Sequence, residues 1–128
     1  MFQIFRRFRR ACATADTGAA AVEMALVTPL LLLMLFGLID FGRMFNAQIT
    51  LTEAAREGAR AVSLGLSPDP RINATLGSAP SSTTITSCAG TTGDASVALS
   101  QAFHPVTPIG SVIGAVTIRA TGIMPCSG

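Results

Sequence analysis

The chain has no tryptophan, no tyrosine and no lysine, and only 12% of its 128 residues are charged. A soluble domain ordinarily carries roughly 25% charged residues, so an evenly solvated globule is excluded. Residues for catalysis are also scarce. The single histidine, His104, lies between Phe103 and Pro105 and reads as a loop residue rather than a base. The sequence contains no C-x-x-C, no cluster of His, Cys and Asp, no G-x-S-x-G and no phosphate-binding glycine run. Catalytic residues, a metal site and a cofactor are therefore not expected, and the chain is not read as an enzyme. Nor does the charge suit nucleic acid. Four of the nine arginines are Arg6, Arg7, Arg9 and Arg10, and beyond residue 18 the other five face six acids, which leaves no basic face on the folded part.

Apolar sequence is what the chain has in excess, and it is unevenly placed. Met24 to Ile39 carries no charge, and the stretch extends back to Ala19 with Glu23 as its one interruption. About 20 apolar residues span a bilayer as a helix. The arginines at 6 to 10 lie just before this run, and arginines flanking a short segment stay in the cytoplasm. The expected topology is a single pass through a bacterial inner membrane, N-terminus cytoplasmic and C-terminus periplasmic. A cleaved secretory signal fits less well, because the apolar run is long and is followed by Asp40-Phe41-Gly42-Arg43 rather than a small-x-small site. A plain uncleaved anchor stays open.

Glu23 needs a reason to be there, since an ionisable group beside a membrane helix is costly and marks a functional position with a partner. Gly18 precedes it by five positions. A cut after Gly18 would give Ala19 a free α-amine, a cation able to pair with a Glu23 carboxylate from a neighbouring subunit. The bland alternative is an interfacial carboxylate snorkelling to the headgroups. A short basic leader, Gly at the cut, Glu at the fifth following position and then an apolar helix resemble the class III, prepilin-type signal.

Gly18 to Arg60 extends that likeness. Gly18, Val22-Glu23, Pro29, Gly37, Asp40-Phe41-Gly42-Arg43 and Ala54-Ala55-Arg56-Glu57-Gly58-Ala59-Arg60 resemble the TadE-like family of minor pseudopilins, from tight-adherence pilus systems. The resemblance implies processing by an aspartic prepilin peptidase. It also implies association with other pilin or pseudopilin subunits and the pilus assembly platform, in the membrane and extracellularly after assembly. The alternative from the residues alone is an uncleaved bitopic envelope protein presenting a small periplasmic binding domain.

The helix is expected to continue beyond the membrane. Phe41, Phe45, Ile49, Thr52, Ala55, Ala59, Val62 and Leu66 recur at spacings of three and four, one helical face. That face is covered either by the chain's own C-terminal part or by sister subunits, with Phe41, Phe45 and Ile49 as packing residues. Glu53–Arg56 and Glu57–Arg60 are i,i+3 pairs of opposite charge. Pro29 removes one backbone donor, frees the Ala25 carbonyl and predicts a bend, with Thr28 a candidate to satisfy the freed group. Gly65 and Ser67-Pro68-Asp69-Pro70 end the pattern.

Residues 67–128 turn to Ser, Thr, Gly and Pro with little charge. Ser78 to Thr86 reads as loop or a short edge strand, Val97, Leu99 and Phe103 share one side, and Val112 to Met124 is the best strand, with Gly110 and Gly114 as turn or bulge residues. Cys88 and Cys126 are disulfide candidates on the exported side, where bridges persist. The predicted fold is α+β: a leader (1–18), a transmembrane helix (19–40), its exported continuation (41–66), and a small antiparallel β-sheet domain (67–128) packed on it.

Overall fold

In the computed structural model, residues 3–88, 90 and 93–126 are described, with side chains given for all of these except 3–17, 109, 111 and 113. The side chains of Arg6 to Arg10, expected to set orientation, lie outside that set. The chain divides into two compact units, Met1–Leu38 and Ile39–Gly128.

One helix, α1 (Gln3–Ser63), supplies the first unit and enters the second. It runs without a break through Gly18. From Gly18 onward it is long and apolar enough to cross a membrane, and its most apolar stretch is not buried by any other part of the described chain. Leu26, Leu30, Leu31, Leu33 and Leu38 all stand exposed. Leucine-, alanine- and methionine-rich sequence suits such a helix, because these side chains lose little freedom in it. The Thr28 hydroxyl donates to the Met24 carbonyl at 2.6 Å, so it does not serve the Ala25 carbonyl that Pro29 frees. A threonine reaches back most readily to the carbonyl four residues before it, and for Thr28 that is Met24.

The helix ends three residues earlier than the apolar pattern suggests. Gly65 takes φ +68°, and its N–H donates to the Val62 carbonyl at 3.0 Å while that of Leu66 donates to the Ala61 carbonyl at 2.9 Å. These paired bonds around a left-handed glycine form a Schellman stop. A short helix, α2 (Asp69–Leu76), follows, with a proline in its first turn and Gly77, φ +68°, closing it. It had not been expected. Its role is to bury Ile72.

The sheet has three antiparallel strands in the order β1 (Ser82–Thr86), β2 (Asp94–Phe103), β3 (Val116–Pro125). Rows cross it as Ser82–Ser100–Arg119 and Thr84–Ala98–Thr121. Between β2 and β3 lies a second unexpected helix, α3 (Pro108–Ile113), which occupies the start of the segment read as a long strand. Thr107 caps it, Pro108 opens it and Gly114 ends it, so β3 begins at Val116.

The expected period-2 alternation holds within the strands. Ala95, Val97, Leu99 and Phe103 of β2, with Ile118 and Ala120 of β3, face inward. They meet Leu51, Ala54, Ala55, Ala59 and Val62 of α1 and Ile72 of α2 in a single core. The fold is α+β, a long apolar helix with a small antiparallel sheet packed against its later part. The other sheet face carries Ser82, Thr84, Thr86, Ser96, Ser100, Thr117 and Thr121, with one charge of each sign, Asp94 and Arg119. Cys88 and Cys126 are joined by a disulfide across a sequence separation of 38.

Candidate functional site

Three groups of residues on α1 stand out. The first is the expected cut. Gly18 is exposed and a Cβ there would meet nothing within 4 Å. Ala19 and Glu23 are exposed as well, and among the described residues Glu23 has no hydrogen-bond or ion-pair partner. Glycine costs a helix about 1 kcal/mol relative to alanine, so Gly18 is one of the weaker points of α1, with Pro29, Gly37, Gly42 and Gly58.

The second group surrounds Asp40, immediately after the apolar run. Its Oδ1 accepts from the backbone N–H of Val106 at 3.1 Å and of Thr107 at 3.4 Å, and its Oδ2 accepts from the Thr107 hydroxyl. Thr107 is buried, and its oxygen in turn accepts from the Gly110 N–H at 3.2 Å. Asp40 thus fixes the residue that caps α3. Space here demands glycine: a Cβ on Gly110 would collide with Asp40 and with Pro105. One turn on, the Arg43 guanidinium lies 5.8 Å from the Phe103 ring centroid, within cation–π range.

The third group is a seam of small residues. Gly122 of β3 lies so close to α1 that a Cβ there would strike the Ala55 carbonyl and come within 2.7 Å of the Arg56 nitrogen. A Cβ on Gly58 would stand 3.0 Å from Ile72 and 3.3 Å from Val97. Ala54, Ala55 and Ala59 are fully buried in the same strip. Gln48 extends the seam, donating from Nε2 to the Arg119 carbonyl at 2.8 Å.

The expected packing face divides. Ala55, Ala59 and Val62 lie under the sheet, whereas Phe41, Phe45 and Ile49 are 63%, 61% and 45% exposed among the described residues. Leu66 falls beyond the helix and is exposed. Glu57 turns to Arg71 of α2 at 3.6 Å, and among the described residues neither Glu53–Arg56 nor Glu57–Arg60 closes. Both partners of the observed pair are about half exposed, so it adds little to stability. On the outer sheet face a shallow depression of about 240 Å³ is lined by Ser82, Thr84, Ser100, Arg119 and Thr121.

Sequence reasoning missed the Asp40–Thr107 group and both glycine contacts. The Thr107-Pro108 pair was the available signal, an N-cap followed by proline at the first helical position.

The α1 members of all three groups fall in one stretch that a family model matches. Residues 18–60 match the TadE-like protein family. Neither curated proteins nor solved structures yield a match. The matched segment is about a third of the chain. It begins at Gly18, includes Asp40, and closes with the Ala54-to-Ala59 strip. Its small residues thus have a physical reason: they let a sheet whose own sequence lies outside the match approach the helix backbone.

Proposed function

We propose that the chain is a pseudopilin-like membrane subunit, cut by a prepilin peptidase between Gly18 and Ala19 and taking part in the assembly of a tight-adherence type IV pilus. The observation that carries this reading is the position of Gly18 and Glu23 at the head of the TadE-like segment, immediately before an exposed apolar helix. Cleavage would remove the arginine-rich leader and leave an α-amine on Ala19. Glu23 is unpartnered among the described residues and offers a carboxylate to that amine on a neighbouring subunit. Phe41, Phe45 and Ile49 form an uncovered stripe along the same helix, suited to packing against the helix of another pilin or pseudopilin. The membrane segment would hold the cut product in the inner membrane, its sheet domain periplasmic, until the assembly platform takes it up.

The deciding experiment is the N-terminal residue of protein recovered from host membranes with an active peptidase. Ala19 is expected. Met1 under those conditions removes the reading and leaves an uncleaved anchor.

A further inference from the structure

The apolar run of α1 ends at Ile39, and Asp40 is the next residue along the helix. Its carboxylate holds the backbone of Val106 and Thr107 directly, at 3.1 and 3.4 Å, and also receives the Thr107 hydroxyl. One helical residue rises about 1.5 Å, and each headgroup layer of a bilayer is on the order of 5–8 Å deep. The segment tied to Asp40 is therefore held at the depth where the helix leaves the hydrocarbon.

That segment has an unusual surface. From Phe103 to Ile118 it contains no Asp, Glu, Arg or Lys, and its one titratable side chain is His104. Val106 is 64% exposed and Val112 is 86% exposed, the latter on α3, whose cap Asp40 fixes. Three prolines and glycines at 105, 108 and 110 keep the loop close to the helix, with Gly110 packed where a Cβ would strike Asp40. Apolar side chains projecting at headgroup depth from a segment with no charge of its own meet lipid rather than water, and an apolar face of this kind settles at the headgroup–acyl boundary.

We infer that the segment Pro105–Gly114 is a membrane-surface contact, with Val106 and Val112 inserted among the lipids around the exit of α1. This rests on the reading that residues 19–40 span the bilayer. The contact gives the exported domain a second point of attachment, so that its height above the membrane is set by lipid as well as by the helix.

The absence of tryptophan makes the test clean, because one introduced indole is the only one in the chain. Full-length Val112→Trp and Val106→Trp are reconstituted in phosphatidylcholine vesicles, with Leu32→Trp in the apolar run and Ile123→Trp at the far end of β3 as references. The two valine variants are expected to emit to the blue of an indole in water and to lose intensity when chain-brominated lipid replaces the ordinary lipid. Ile123→Trp is expected to emit as in water and keep its intensity. Quenching of Leu32→Trp without quenching at 106 or 112 overturns the contact while leaving the membrane span intact. A blue emission at 112 that brominated lipid leaves untouched, and that disappears when vesicles hold single copies, overturns it in favour of a second protein molecule. An unquenched Leu32→Trp removes the span itself, and the contact falls with it.

Discussion

Gly122 of β3 lies against the carbonyl of Ala55 with no room for a side chain between them. Strand and helix meet there backbone to backbone, so neither partner can yield by changing rotamer. Gly122→Ala is expected to destabilise the sheet domain by about 1–3 kcal/mol, the usual cost of overpacking a filled interior. Gly42→Ala is the matched comparison, because a Cβ there meets nothing. It is expected to be neutral or to stabilise by up to about 1 kcal/mol through helix propensity. Thermal unfolding of both variants in detergent measures the contrast.

Gly58 presses on a side chain instead. A Cβ there would stand 3.0 Å from both Cδ1 and Cγ1 of Ile72. Gly58→Ala is expected to destabilise in spite of its better helix propensity, and Ile72→Val, which removes Cδ1, is expected to recover part of the loss. A double-mutant cycle should show coupling of about 0.5–3 kcal/mol, as for residues in contact. Strict additivity would mean that α2 does not pack on α1 in this register.

Asp40 is expected to govern the order of the loop it holds. Asp40→Ala removes the acceptor for the Val106 and Thr107 amides and for the Thr107 hydroxyl. Amide exchange at Val106, Thr107 and Gly110 should speed up, while Val97 and Leu99 in the central strand keep their protection. Unchanged exchange at the three loop amides would show that α3 is capped without help from α1.

The Cys88–Cys126 bridge closes a loop with a sequence separation of 38. The chain-entropy relation puts the loss on removing it at about 4 kcal/mol, large for a domain with a core this small. The Cys88→Ser/Cys126→Ser variant is expected to show that loss in denaturant unfolding of the sheet domain. A loss much below it would indicate that the unfolded chain keeps structure around β1 and β3.

Glu23→Ala addresses the proposed assembly role. Insertion into the membrane is expected to be unchanged, because the apolar run is untouched, while incorporation into the pilus machinery falls. Normal assembly by this variant would remove the proposed pairing of Glu23 with a neighbouring α-amine.

Large features of the fold were legible because their signals are local and repeated. The apolar run, the alternation of Val116, Ile118 and Ala120 with Thr117, Arg119 and Thr121, and the glycine that stops α1 each lie within a few consecutive residues. The two short helices were not, since eight and six residues span too few turns for periodicity to register. The covered face of α1 was only half legible. Bulky Phe41, Phe45 and Ile49 draw the eye, but the sheet covers Ala54, Ala55, Gly58 and Ala59, chosen for small size and weak in hydropathy. The Asp40–Thr107 bond joins residues 67 apart in sequence, and no pattern in either neighbourhood points to the other.

The polar groups on the outer face of the sheet are mostly hydroxyls, beside Ala98, Ala102 and an exposed Ile123. Between residues 67 and 126 the charged side chains are Asp69, Arg71, Asp94 and Arg119, two of each sign. Forces between charges decay over about 8 Å at physiological ionic strength and over about 3 Å in 1 M salt, so a surface that owes its hydration to charge changes character as salt rises. A face of hydroxyls with one acid and one base has little to screen. The sheet domain thus presents much the same outer face in dilute and in concentrated surroundings.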